Sequence, residues 1–190
     1  IITCSIDDHK FRGFRKNAAK VFGTNTQVIR IEDASSLSEG YNRGARVATG
    51  DTLIFCHDDI RFLNSQTPRF IKQDLEDNDI VGVAGTTRLV AGNWIAAGHP
   101  YIHGQVIHPY ASPGEKYYQL CLYGLGHDGA IVRSIQAVDG LFIALKRDVL
   151  NQVGFDEQVF DGFHLYDLDF TFSAHLAGLQ LALDYRIELL

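Results

Sequence analysis

The sequence predicts an α/β protein: a three-layer α/β/α sandwich around a mostly parallel sheet. Three observations carry this. Short apolar, β-branched runs alternate with amphipathic helical stretches through the first 84 residues, in the order β-α-β-α-β-α-β, and that alternation implies parallel strands joined by right-handed crossovers. The chain has 190 residues, 46% of them hydrophobic and 21% charged, enough to bury one core without disulfide or metal staples. Polar, chemically capable residues follow directly on the most apolar run, where open α/β sheets bind ligands.

The elements follow in order. Ile1 to Ile6 reads as a strand covered on both faces, and the spacing of Phe11, Phe14, Ala18, Val21 and Phe22 predicts a helix that Gly23 closes. Val28 to Ile31 is a second strand. Ser36 and Glu39 have the spacing of a capping box for a helix running towards Gly50. Thr52 to Cys56 is the third strand and runs into His57-Asp58-Asp59; Thr67-Pro68 then opens a helix, and Ile80 to Ala84 forms a fourth strand. Gly85 to Gly129 holds three of the four prolines and many aromatics and histidines, and is expected to be an irregular insertion. Regular pattern returns with a strand over Val138 to Leu145, a short helix around Arg147 to Val153, a helix from about Tyr166 to Ala177, and a last strand within Leu179 to Leu190.

Composition excludes several classes of function. No apolar run approaches the roughly 18 residues of a membrane span, and the N-terminus lacks the pattern of a signal peptide. Cys4, Cys56 and Cys121 are odd in number and form no CxxC pair, which fits a reducing compartment, so the expected location is cytoplasmic. Methionine is absent, initiator included, and the sequence is therefore expected to begin inside a longer gene product. The net charge of -6 divides into +3 over residues 1–50 and -9 over the rest. Without a cluster of Lys and Arg, nucleic acid is not an expected partner; a small phosphorylated ligand is compatible with the basic first quarter.

Three clusters offer chemistry. His57-Asp58-Asp59 sets two carboxylates side by side after a buried strand, either to hold a hard cation or simply to cap a solvated loop. Asp156, Glu157, His164, Tyr166, Asp167 and Asp169 supply more acid than one helix N-terminus needs. Tyr41-Asn42-Arg43-Gly44-Ala45-Arg46 suits a diphosphate or, equally, a solvated helix face. His99, His103 and His108 lie in a turn-rich stretch with loose ligand spacing, and His127 and His175 read as loop and helix-face residues. The aromatics of the insertion, among them Trp94, Tyr110, Tyr118 and Tyr123, either stack on a sugar or form a small core. Neither a Walker motif nor G-x-S-x-G is present.

Taken in order, Ser36 to Gly44, Gly50 to Ile60, Val138 to Arg147, and Gly154-Phe155-Asp156 through Tyr166-Asp167-Leu168-Asp169 resemble the nucleotide-sugar glycosyltransferases of the GT-A fold, close to glycosyltransferase family 2. The resemblance spans nearly the whole chain. It implies a single GT-A (Rossmann-like) domain over residues 1–190, with a nucleotide-binding half (1–84), the insertion (85–137) and an acceptor and catalytic half (138–190). It also implies a nucleoside-diphosphate-sugar donor, a UDP-sugar in the first instance, and Mn²⁺ or Mg²⁺. Asp59 matches the metal-binding carboxylate of the family's acidic motif, with Asp58 towards the ribose or sugar and His57 where the family often has Asp. Ser5, Asp7 and Asp33 match positions around base and ribose, Tyr41 and Asn42 the segment near the diphosphate, and Asp139 and Gly140 the lining of the donor sugar. Asp167 falls on the general base of inverting members, and Tyr166 replaces the acid that usually precedes it. The implied function is metal-dependent, inverting transfer to the hydroxyl of an unidentified sugar, lipid or protein acceptor. A degenerate transferase that keeps the nucleotide without turnover is the alternative.

Overall fold

A computed structural model describes residues 1–112, 115–124 and 129–190 of the protein. The first half follows the expected alternation: β1 (Ile2–Cys4), α1 (Asp8–Phe22), β2 (Ile29–Ile31), α2 (Leu37–Val47), β3 (Thr52–Cys56), α3 (Thr67–Asp77) and β4 (Ile80–Gly82). Local signals explain the helix starts. Asp7 caps α1 by accepting from the backbone N–H groups of His9 and Lys10 at 2.7 and 2.9 Å. Ser36 caps α2 through the Glu39 N–H at 3.1 Å, while Glu39 reaches back to the N–H of Ser35.

The second half holds β5 (Ala84–Thr86), β6 (Ile102–Ser112), β7 (Glu115–Tyr123), β8 (Ile131–Val132), β9 (Ala137–Val138), β10 (Phe142–Lys146), α4 (Tyr166–Leu176) and β11 (Leu181–Asp184). The main sheet has the order β2-β1-β3-β10-β4-β11-β8. β10 runs antiparallel between β3 and β4, and β8 is antiparallel to β11, in an otherwise parallel arrangement. A smaller antiparallel sheet, β7-β6-β5-β9, lies beside it.

Alternation along the strands builds the layers. Leu53, Phe55, Ile143 and Leu145 point to one face and pack with Tyr41 of α2 and Phe170 of α4. Ile54, Cys56, Phe142 and Ala144 point to the other and pack with Phe14 of α1 and Ile71 of α3. The fold is thus the expected three-layer sandwich with a mixed, mostly parallel sheet. Fully burying each large side chain of this kind contributes about 1.5–3 kcal/mol, and Tyr41, Phe55, Phe142 and Phe170 are among the largest so buried.

Three expectations change. The fourth strand ends at Gly82, and the chain passes through Val83 into β5 of the second sheet. The switch depends on Gly85, where a Cβ would overlap the Ala137 carbonyl oxygen on the neighbouring strand. Likewise, the strand expected over Val138 to Leu145 divides into β9 and β10 around Asp139–Leu141. Finally, the segment read as an irregular insertion is mainly the long β6–β7 hairpin. Its apolar residues Tyr118, Leu120 and Leu122 face solvent, so core burial does not impose the usual alternation there.

Candidate active site

The ends of β1 and β3 are neighbours, and the residues that follow them form one wall of a cleft of about 250 Å³ lined by Ser5, Asp7, Lys10, Glu32, Asp58 and Phe163, among others. Ser5 Oγ donates to Asp58 Oδ2 at 2.6 Å, holding that carboxylate towards the cleft. Two backbone N–H groups, of Lys10 and then His9, lower the Asp7 pKa, so Asp7 both caps α1 and borders the cleft as a carboxylate. Cys4 also borders it, but burial first, then nearby Glu39, push its thiol up to about 12. Thiolate chemistry is therefore not available to Cys4 near neutral pH.

The second cluster forms because β10 is antiparallel. Its start, Phe142, pairs with Cys56 at the end of β3, so the Asp139–Leu141 turn lies against His57, whose N–H donates to the Leu141 carbonyl at 3.3 Å. Asp139 is held through both carboxylate oxygens: Oδ1 accepts from the Leu141 N–H at 2.9 Å and Oδ2 from Trp94 Nε1 at 2.7 Å. The Gly140 N–H donates to Asp167 Oδ2 at 2.7 Å. Tyr166 Oη donates to the Gly140 carbonyl at 3.3 Å and lies 3.2 Å from His57 Nε2. Burial first, then Asp139, raise the Asp167 pKa, against the opposing hydrogen bond from Gly140. A carboxylate with raised proton affinity is suited to accept a proton from a hydroxyl.

The expected residues therefore divide. Ser5, Asp7 and Asp58 share the cleft, and His57, Asp139, Gly140 and Asp167 form the adjoining cluster with Tyr166. Asp59 is exposed next to them. Three residues stand elsewhere. Tyr41 has no exposed surface and packs against Phe55, Phe155 and Tyr166, because its position on α2 faces the sheet; its ring is core and does not reach a diphosphate. Asn42 Nδ2 donates to the Phe155 carbonyl at 2.8 Å and to Glu157 at 3.0 Å, and borders a separate cleft with Arg46 and Arg147. Asp33 is outside the cleft lining, paired at 3.0 Å with Arg43, which also pairs with Glu39. The basic face of α2 is thus partly neutralised within the fold.

Two lining residues escaped sequence reasoning. Glu32 and Lys10 border the cleft, and position relative to a strand or helix end is the only signal they carry. The insertion aromatics divide as well: Trp94 and Tyr123 stack edge to face, with centroids 5.1 Å apart, in a small core that includes Leu168, whereas Tyr118 is exposed. His127 and the Tyr110 side chain lie outside the described residues. His175 stacks on Phe172.

Among the described residues, no three His, Cys, Asp or Glu side chains gather to hold a metal ion by themselves, His99, His103 and His108 included. Asp59, exposed beside the cleft, is a carboxylate of the kind that holds Mg²⁺ together with oxygen donors from outside the protein. No helix among the described residues is long and apolar enough to cross a membrane.

The model of the Glycosyltransferase like family matches residues 1–187, and the chain belongs to that family. No curated protein sequence matches it. Among solved structures, TarS residues 1–349 from S. aureus aligns with a TM-score of 0.48 and 14% identity, over 96% of this chain and 48% of that one. HddC from Yersinia pseudotuberculosis aligns with a TM-score of 0.39 and 11% identity, over 88% and 62%. The chain spans about half the length of the first structure and less than two thirds of the second.

Proposed function

We propose that the protein binds a nucleoside-diphosphate sugar, in the first instance a UDP-sugar, and transfers the sugar with inversion to an acceptor hydroxyl. The observation that carries this reading is the placement of Asp167, held by the Gly140 N–H at 2.7 Å, on the same sheet edge as the Ser5–Asp58 cleft. In a member of the Glycosyltransferase like family, that edge joins a nucleotide cleft to a base. The cleft receives the nucleoside, with Ser5 and Asp58 near the ribose. Asp139 and Gly140 border the sugar. Asp167 takes the acceptor proton as the acceptor oxygen bonds to the anomeric carbon, and the bond from that carbon to the diphosphate breaks with its electron pair leaving on oxygen. Asp59 would hold Mn²⁺ or Mg²⁺, which when bound offsets charge on the departing diphosphate.

Calorimetry with UDP, with and without Mn²⁺, tests the binding half. Wild type is expected to bind UDP more tightly with Mn²⁺, and Asp59→Ala to lose that gain; absence of UDP binding by wild type overturns the reading. A second reading, nucleotide binding without turnover, is favoured by one observation: His57 and Tyr166, at two positions where the family usually has acids, engage each other. UDP release from a UDP-sugar by wild type, abolished in Asp167→Asn, eliminates it.

A further inference from the structure

The Tyr166 hydroxyl is surplus to packing. Its ring sits among Tyr41, Phe155 and the rest of an apolar layer, where a phenylalanine would supply the same contacts. Burying a hydroxyl costs free energy unless it is bonded, and here it is bonded on two sides. A phenol has one proton. With that proton on the Gly140 carbonyl, which can only accept, the matching tautomer of His57 presents Nε2–H to the phenol oxygen, and the Tyr41 hydroxyl is a further partner of the same oxygen. In the neutral ring the lone pair then resides on Nδ1.

Gly140 fits this arrangement and no other residue does. A Cβ there would overlap the Tyr166 hydroxyl, approach its Cζ to 2.7 Å, and approach Asp167 Cβ to 2.9 Å. The peptide on one side of the Gly140 Cα carries the carbonyl that Tyr166 holds, and the peptide on the other carries the N–H that holds Asp167 Oδ2. Fixing one peptide at 3.3 Å restricts the other, which is only two bonds away across a glycine with no side chain to restrain it.

We propose, on the transferase reading above, that Tyr166 is a positioning residue whose hydroxyl, braced by His57, locks the Gly140 turn that orients the Asp167 carboxylate. Its action is through Asp167, and its ring is a structural component that phenylalanine can replace.

The test is Tyr166→Phe in the full chain, read in two independent ways. The first is hydrogen exchange at the Gly140 amide, followed by NMR, which needs neither donor nor turnover. Tyr166→Phe is expected to exchange that amide at least about tenfold faster, while amides of β3 and β10 keep wild-type rates, as for a local opening. The second is UDP release from UDP-glucose and UDP-N-acetylglucosamine with water as acceptor. Here kcat is expected to fall at least about tenfold, with the donor KM within about threefold and no further loss when Tyr166→Phe is added to Asp167→Asn. His57→Phe, which removes the brace, is expected to accelerate exchange at Gly140 as well. Unchanged exchange at Gly140 in Tyr166→Phe overturns the positioning role whether or not the protein turns over. Unchanged kcat, or an equal loss in the Asp167→Asn background, overturns action through Asp167. Failure of wild type to release UDP while Gly140 exchange responds as expected removes the transferase reading and leaves the local geometry standing.

Discussion

Ser5 and Asp58 meet at 2.6 Å across the ends of two adjacent parallel strands, although they are 53 positions apart in the chain. This hydrogen bond aims a carboxylate into the cleft and ties the loop after β1 to the loop after β3. Ser5→Ala leaves Asp58 without that donor. UDP affinity is expected to weaken about three- to tenfold, and stability to fall by about 1.5 kcal/mol, the low end for a hydrogen bond to a charged group. Calorimetry and denaturant unfolding measure the two effects.

Asp167 offers a pH test. A general base works ionised, so activity rises as pH passes its pKa, and burial and Asp139 place that pKa above the usual carboxylate value. The acid limb of kcat/KM for UDP release is therefore expected above the range of an ordinary aspartate. Asp167→Asn should lower kcat by about 10²–10⁴ with UDP affinity retained. A limb at the ordinary carboxylate position would refute the raised proton affinity.

Gly140→Ala forces a methyl group against Tyr166 and Asp167, with contacts of 2.7 and 2.9 Å to carbons that cannot swing away. The expected cost is about 1–3 kcal/mol, the range for overpacking a tight site. Turnover should fall further than stability alone explains, because the Gly140 N–H holds the base. Thermal unfolding and UDP release, measured on the same preparation, separate the two.

A prediction away from the site concerns Asp74 and Asp184, both buried and both bonded to Arg186. Burial first, then the Asp184 carboxylate, push Asp74 up to about 7, opposed by Arg186. The folded state then holds a proton that the unfolded chain releases near 3.8. The associated stability is fully present below that value and is lost as pH rises through about 7. Tm is expected to fall by about 5 °C between pH 5 and pH 8, and Asp74→Asn, which cannot ionise, to remove most of that fall.

How much of this could be read from sequence depends on whether a residue acts through its neighbours in the chain or across it. The cap at Ser36 and the residues after β1 and β3 were legible, because strand ends and helix starts are local events. The burial of Tyr41 was not, since a tyrosine on α2 at the same turn as Asn42 and Arg43 reads as polar until the helix is rotated onto the sheet. The split of residues 80–86 into two sheets turns on what Gly85 touches, Ala137 being far away in sequence. The pairing of His57 with Tyr166, 109 residues apart, had no local sign: each stood in its own polar cluster, and nothing in the sequence joined the two. The acidic segment around Tyr166 had a surplus that sequence registered, and the structure distributes it, with Asp156 capping its own turn, Glu157 on Asn42 and Asp167 on Gly140.

The antiparallel strand at the centre of the main sheet also governs the order in which the molecule can be assembled. β3 and β4 are not hydrogen-bonded to each other; β10 fills the space between them. A nascent chain that has emerged only as far as residue 84 therefore holds two unsatisfied strand edges facing a gap, and such edges invite pairing with other chains. The first 84 residues supply the cleft lining except for Phe163, but the sheet beneath it is incomplete without β10. Residues 142–146 close that gap and Asp167 follows them in the chain, so the sheet beneath the cleft and the carboxylate beside it both depend on the second half of the sequence.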